Sequence, residues 1–396
     1  MQIITFGCRL NAFESEVIQE LTATMDNTVI INTCAVTSEA ERQSRQAVRK
    51  AIRENPTATV IATGCAVQLN PASFQKITGL ARVLGNAEKL DKNALFSDIP
   101  YMVSTPEKLP TQVQITDFSG RTRAFLQIQQ GCDNHCTFCV VRLVRGKNVG
   151  LPVEKVVQQA QILADNGFKE VVLTGVDIAS YPFGFSKLIE ELVTRVPAVQ
   201  RWRFGSLNPA LIDEKFIRLV GRYPQIMPFF HFSIQSGSDG ILKKMGRRHT
   251  RAQVINLINA LKRVRPEATF GSDFITGFPT ETEQDFKETY ELVKELNITH
   301  LHVFPFSVRT GTPSAKLRQL PVPLRKERAA VLRALGKELY KTAAQELVGK
   351  QVEVLVEQKG IGLTNTYFKV NINPEIPPKE VVLVTIKERK ENELVG

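Results

Sequence analysis

VIINTCAV, residues 29–36, is a β-branched run that stops at a polar residue and then a cysteine, Cys34. The same shape occurs as ITFGCRLN at 4–11 and VIATGCAV at 60–67, which put Cys8 and Cys65 at the ends of their own apolar runs. Helical patterns separate the three runs. One covers 14–25; the other goes from Ser38, an N-cap with Glu41 at the capping-box spacing, to Asn55 before Pro56. Strand and helix in alternation imply a parallel sheet. The strand-to-helix loops of such a sheet share one edge, beyond the carboxyl ends of its strands, where ligands collect. The pattern therefore predicts that Cys8, Cys34 and Cys65 meet. The alternative is three small buried cysteines, the commoner fate of a free thiol.

The chain has 396 residues, enough for two or three domains. Its six cysteines are too sparse for a disulfide-stapled secreted scaffold, and clustered thiols in a reducing compartment more often hold metal or do redox chemistry. The Met1 end has no leader-like segment and no apolar run approaches the ~18 residues of a membrane span, so a soluble, cytoplasmic protein is expected. A net charge of +11 favours a polyanionic partner such as nucleic acid, beside the blander reading of a well-solvated surface. The excess is concentrated at 241–266, where eight basic residues stand with no acidic one. Lys243, Lys244, Arg247, Arg248 and Arg251 in this run are candidates for RNA phosphate contacts.

The remaining pattern divides the chain further. Residues 1–97 form the first α/β unit, and 100–122, with Pro106 and Pro110, reads as a linker. Over 118–346, strand candidates at 125–129, 171–174, 202–205, 229–234, 269–274 and 300–304 interleave with six helical stretches, which predicts a partial (β/α)6 barrel with its site at the carboxyl ends of the strands. Residues 347–396 alternate apolar and polar, as a small antiparallel sheet or all-β barrel does.

Directly after the first barrel strand comes GCDNHCTFC, residues 131–139, with Cys132, Cys136 and Cys139 in C-x3-C-x2-C spacing. Zinc sites usually pair four ligands in C-x2-C or C/H arrangements, and His135 could in principle complete such a set. Three close thiolates suit a 4Fe-4S cluster with one iron left open.

The whole chain resembles the radical S-adenosylmethionine methylthiotransferases. The resemblance is carried by the three N-terminal cysteines in GC, NTC and TGC contexts, by GCDNHCTFC, Arg145-Gly146 and LTGVDIASY at 173–181. SIQSGSDGILKKMGRRHT at 233–250, GSDFITGFPTETEQDF at 271–286 and HVFPFSVRTGTP at 302–313 complete it. GCRLNAFESE and THLHVFPFSVRTGTP look most like the branch that acts on N6-threonylcarbamoyladenosine in tRNA.

By this resemblance Cys132, Cys136 and Cys139 hold the cluster that binds S-adenosylmethionine and generates a radical from it. Cys8, Cys34 and Cys65 hold a second, auxiliary 4Fe-4S cluster where sulfur is presented. Val176, Asp177 and Ile178 receive the methionine amino group, while Ser206, Asn208, Gln235, Ser236 and Gly277 are further cofactor contacts. The implied partners are the tRNA anticodon stem-loop, a sulfur donor and a flavodoxin- or ferredoxin-like electron donor, with the protein a monomer. The last fifty residues resemble a shortened TRAM module, in which Tyr367 or Phe368 is available to stack on bases. Asp273 and Glu281 read as cap and surface carboxylates. Departures from the family pattern stand at Arg142, Val149, Gly150, Gly205 and Asn208. The alternatives are the same chemistry on N6-isopentenyladenosine or on a ribosomal-protein aspartate, and an iron–sulfur RNA-binding protein without turnover.

Overall fold

The computed structural model describes residues 1–106, 115–118, 120–391 and 393–396; Pro110 of the expected linker lies outside them. The N-terminal strands β1 (Gln2–Thr5), β2 (Thr28–Thr33), β3 (Thr59–Gly64), β4 (Arg82–Leu84) and β5 (Tyr101–Met102) form one parallel sheet in that order. Its fifth strand falls in the segment expected to be irregular, because Tyr101–Met102 finds Val83 and Leu84 as ladder partners. Helix Arg9–Leu21 begins earlier than its periodicity suggests, with Cys8 as its extended N-cap. The second helix, Ser38–Glu54, is capped by Thr37, whose hydroxyl accepts from the Ala40 N–H at 3.0 Å. Ser38 was the expected cap; its hydroxyl bonds instead to Ser307 and to the Val308 carbonyl, across to the barrel.

Two glycines explain the spelling of the cysteine loops. Gly64 has φ +96°, and a Cβ there would lie 2.5 Å from both the N and O of Thr33, backbone that cannot step aside. Gly7 has φ +97°, and its Cβ would sit 2.7 Å from Cys34 Sγ. Glycine adopts this left-handed backbone at no steric cost, whereas alanine is strained. Gly64→Ala is expected to lower the stability of the N-terminal unit by ~1–3 kcal/mol, measured by urea unfolding, and to reduce its iron content on anaerobic reconstitution. A variant with unchanged midpoint and iron would contradict this.

The central strands are β6 (Arg123–Gln127), a short antiparallel ribbon β7 (Gln129–Gln130) and β8 (Val149–Gly150), then β9 (Glu170–Thr174), β10 (Arg201–Phe204), β11 (Phe229–Gln235), β12 (Thr269–Thr276) and β13 (His300–Pro305). β6, β9 and β10 make one parallel sheet and β11, β12 and β13 another. Parallel bridges Trp202–Ile226 and Leu207–Phe232 join them across the seam. The result is the expected six-stranded parallel arrangement of a partial barrel. Its walls follow from strand alternation: Trp202, Phe204, Phe230, Phe232, Phe270 and Phe274 pack outward into the core shared with the helices. Their neighbours Arg201, Arg203, His231 and Asp273 therefore face the lumen.

β14 (Gln351–Gln358), β15 (Ile361–Thr364), β16 (Lys369–Asn371), β17 (Val381–Thr385), β18 (Glu388–Lys390) and β19 (Glu393–Val395) form one sheet in the order β17-β14-β15-β16-β19-β18. All its ladders are antiparallel except β16–β19. Among the described residues its edge strands β17 and β18 do not pair, so closure into a barrel is not seen.

This module closes the amino-terminal end of the central barrel. Arg203 donates to the carbonyls of Thr364 and Asn365, and buried Glu170 accepts from both Arg201 and Arg203 at 2.8 Å. Tyr367 stacks flat on Phe229, centroids 4.3 Å apart, with the Arg203 guanidinium 5.0 Å from its ring. Phe368 is 1 % exposed in the core of the C-terminal sheet. The expectation that either aromatic stacks on RNA bases is thus corrected: one plugs the barrel and the other fills a core.

Candidate active site

The parallel N-terminal sheet brings Cys8, Cys34 and Cys65 to its carboxyl edge, as the strand pattern requires. They are not a uniformly buried set: Cys8 is exposed, Cys65 intermediate and Cys34 buried. Burial pushes the Cys34 thiol up to about 11, the Val36 N–H opposing and the neighbouring Cys65 and Cys8 adding to the rise. A buried Cys34 thiol with two more thiols beside it fits a site completed by a cationic iron core, which reverses its penalty.

The second group behaves alike. The loop is pinned at both ends: Cys132 N–H donates to the Gly146 carbonyl and Thr137 N–H to that of Met245. Burial pushes Cys139 up to about 12, with Cys136 and Cys132 adding to it. Among the described residues, neither cysteine group has its three sulfurs mutually within 4.8 Å. Tetrahedral zinc, with Zn–S near 2.3 Å, would draw them to ~4 Å. His135 turns to Arg142, 2.8 Å away. As placed among the described residues, neither group has the tight tetrahedral spacing of a zinc site, and three thiols apiece are the donor set that a 4Fe-4S core with one open iron takes.

Around Cys132 the side chains converge. Asn134 Nδ2 donates to Cys132 Sγ at 3.3 Å and to Asp177 Oδ2 at 2.7 Å. Burial raises the Asp177 carboxyl above its ordinary value, against hydrogen bonds led by that from Asn208. Gln129 fastens the loop to the end of β9: its Oε1 accepts from the Val176 and Asp177 N–H groups at 2.9 and 3.0 Å, while its Nε2 donates to the Gly131 carbonyl and to Asn148. Val176 and Asp177 thus have their N–H groups tied, and the Asp177 carbonyl accepts from the Ser180 N–H and Oγ at 2.9 and 2.7 Å. Ile178 is buried.

The other expected cofactor contacts divide. Ser206 and Asn208 face the site: Ser206 Oγ donates to Asp273 Oδ2 at 3.4 Å, and Asn208 Oδ1 accepts from Arg247. Gln235 ends β11 in a left-handed conformation, φ 76°, a strained backbone often found at functional sites. Ser236 instead turns back against Thr289 Oγ1 and the Ser238 N–H. Gly277, φ +69°, packs on Arg325, whose Cγ a Cβ would meet at 2.5 Å, so the close approach there is to a helix. Glu281 is no surface carboxylate: it accepts from the Gly277 N–H and from Arg328 in the interior. Asp273 is no cap, being held by His231 and His302.

Two arginines carry more than the sequence suggests. Arg247 leaves the basic surface run and reaches Cys136 Sγ at 3.6 Å and the Ser233 carbonyl at 2.6 Å. Arg251 is likewise tied down, to the Glu288 carbonyl and Glu295. Lys243, Lys244 and Arg248 are exposed. Arg145, six residues after Cys139, is fully enclosed and reaches the first thiol group. Its Nε donates to Cys65 Sγ at 3.2 Å, its Nη2 to Asn11 Oδ1 at 2.5 Å, and both Nη atoms meet Glu14. Lys89 Nζ completes the cluster, 2.6 Å from Glu14 Oε2. The Arg145-Gly146 pair marks Arg145 in the sequence, though not its reach to Cys65; nothing local in the basic run separates Arg247 from its surface neighbours.

Comparison with known proteins agrees with this geometry. Residues 126–293 match the Radical SAM superfamily, and residues 1–85 match the uncharacterized protein family UPF0004. The threonylcarbamoyladenosine tRNA methylthiotransferase MtaB of Rickettsia prowazekii is 42% identical, covering 94% of this chain and 91% of that protein. The MtaB of Bacillus subtilis is 36% identical over 92% and 88%. A tRNA-2-methylthio-N(6)-dimethylallyladenosine synthase of Ehrlichia chaffeensis is 31% identical over 91% and 88%. Among solved structures, the radical S-adenosylmethionine methyltransferase TsrM from Kitasatospora setae shares the fold with a TM-score of 0.60 at 13% identity, covering 79% of this chain and 73% of that one. Sheet order, cysteine placement and full-length similarity agree, and the chain belongs to the radical S-adenosylmethionine methylthiotransferase family of enzymes.

Proposed function

We propose that this protein is a tRNA methylthiotransferase that places a methylthio group on C2 of N6-threonylcarbamoyladenosine 37, beside the anticodon. Cys132, Cys136 and Cys139 would hold one 4Fe-4S cluster and Cys8, Cys34 and Cys65 another, on units spanning 118–346 and 1–97. Bound there, the clusters with S-adenosylmethionine supply one-electron chemistry at an unreactive C–H bond and a source of sulfur next to it. The observation that carries the reading is Arg145, which leaves the Cys139 loop and donates to Cys65 Sγ at 3.2 Å. One rigid link thus sets the spacing of the two thiol groups.

The chain's own side chains prepare the space between them. Gln129 and Asn134 fix the radical-forming loop against β9, leaving the Val176 carbonyl for the cofactor's amino group. Asn208 and Asp177 offer acceptors for ribose hydroxyls. Arg247 brings a positive charge to within 3.6 Å of Cys136 Sγ. Lys243, Lys244 and Arg248 take RNA phosphates, contacts that position without reading sequence. The sheet of 347–396 serves chiefly to close the barrel. Sulfur and electron donors dock from outside, and the protein works as a monomer in the cytoplasm. Among the described residues no helix is long and apolar enough to cross a membrane.

Nucleoside mass spectrometry of tRNA tests this in cells lacking the gene and in cells with it restored. The methylthio derivative of threonylcarbamoyladenosine should disappear with the gene and return with it. Its persistence in the deletion, or loss of a methylthiolated isopentenyladenosine instead, would overturn the reading.

A further inference from the structure

The lumen wall between the two thiol groups carries a polar constellation that cluster binding and radical formation do not require. Along β11 the inward positions alternate: Phe229 stacks on Tyr367, His231 follows, and Ser233 holds Arg247 beside Cys136. With a strand rise near 3.3 Å, His231 stands about 7 Å from each of those neighbours, midway up the wall. Its Nε2 lies 3.0 Å from Asp273 Oδ1, and His302 Nδ1 lies 3.1 Å from the same oxygen. The imidazole rings are 4.7 Å apart. Gly271 makes the room, since a Cβ there would be 2.6 Å from His231 Nδ1. His302 is exposed.

Arg9 completes the constellation from the other side. It directly follows Cys8, and its guanidinium donates to Tyr367 Oη at 3.1 Å and to the Phe204 carbonyl at 3.5 Å. Two residues beyond Phe204, Ser206 donates to Asp273. Arg9 and the His–Asp–His group therefore lie on one stretch of wall, tied by a single short strand segment. No carboxylate among the described residues pairs with Arg9, whereas Arg123, Arg201 and Arg203 below it all share Glu170. The histidine N–H groups are spent on Asp273 Oδ1, so the open donor on this wall is Arg9: a partly exposed guanidinium that no carboxylate among the described residues pairs with is a receptor for a carboxylate. It is a poor surface for an alkenyl group, which would have to displace water from these polar atoms without replacing their hydrogen bonds.

Resting on the function proposed above, we propose that Arg9, on the wall that His231, Asp273 and His302 hold in shape, forms the subsite that binds the threonine carboxylate of the N6-threonylcarbamoyl substituent. It sets the choice of substrate base. Arg9 binds, and His231, Asp273 and His302 shape the wall beside it. GCRLNAFESE, through Arg9, and THLHVFPFSVRTGTP, through His300, both reach Tyr367.

The test is affinity of the anaerobically prepared holoenzyme for three synthetic anticodon stem-loops: N6-threonylcarbamoyladenosine at 37, its neutral carboxamide analogue, and unmodified adenosine. Wild type should bind the carboxylate form at least roughly tenfold more tightly than the carboxamide, the scale of a charged hydrogen bond. Arg9→Gln should erode that ratio with iron content unchanged and affinity for unmodified RNA little altered; Arg9→Lys should keep part of it. Variants that retain the full ratio, or that weaken all three RNAs equally, would overturn the subsite. A wild type that methylthiolates the threonylcarbamoyl RNA yet ignores its carboxylate also overturns it, and leaves the substrate reading standing. A wild type that neither prefers nor modifies that RNA brings down both.

Discussion

Cys132→Ala is expected to eliminate the methylthio product while the chain still folds and binds RNA. Cys132 sits in a loop fastened by backbone hydrogen bonds at Gly146 and Met245 and by the Gln129 amide, none of which needs its sulfur. Removing one thiolate of three leaves the cluster without a ligand set, so iron on reconstitution should fall by about half, the Cys8, Cys34 and Cys65 site remaining filled. Product, iron content and RNA affinity measured on one preparation separate the outcomes. Residual product above a hundredth of wild type would contradict the assignment, and a loss of all the iron would show that the two sites do not load independently.

The second large effect is expected at Glu14→Gln. Glu14 is fully buried and meets both Arg145 and Lys89. Burial pushes its carboxyl up, but the charges of Arg145 and Lys89 outweigh this and hold it below the ordinary 4.5. The amide would leave two buried cations facing each other, and breaking such a network costs ~3–5 kcal/mol. The damage falls between the N-terminal sheet and the barrel, so cooperativity of unfolding should drop along with its midpoint. The pH dependence has the same origin. Glu170 is likewise depressed, burial being outweighed by Arg203, Arg201 and Arg123. A carboxyl lowered in the folded state stabilises fully above its unfolded value and loses that contribution as pH falls through the folded one. Wild type should therefore lose stability progressively below pH 4.5, and Glu14→Gln should show a shallower acid slope. A loss under about 1 kcal/mol would mean that water reaches the site.

The elements were legible because their physics is local. Strand runs, helical periods and the cysteines that end β1, β2 and β3 follow from patterns a few residues wide, and the six barrel strands fall where alternation puts them. What was not legible depends on direction. A basic run reads as surface charge, yet Arg247 turns inward to Cys136 while Lys243 and Arg248 stay exposed, Gly246, φ +72°, ending the helix that carries Lys243. Ser236 and Gly277 have residue types suited to a cofactor, but their orientation is spent on Thr289 and Arg325. Gln129 carries no motif, and its role rests on contacts over forty residues away, to Val176 and Asp177. Tyr367 looks like a base-stacking residue until the barrel end that it plugs is in view.

The most direct test of the whole account is turnover by the purified chain, reconstituted with iron and sulfide, given S-adenosylmethionine, a reductant and an anticodon stem-loop bearing N6-threonylcarbamoyladenosine at position 37. Mass spectrometry of the digested RNA should show the 2-methylthio nucleoside. A methylthiolated product from the isopentenyladenosine stem-loop alone, or RNA bound and returned unchanged, would contradict it.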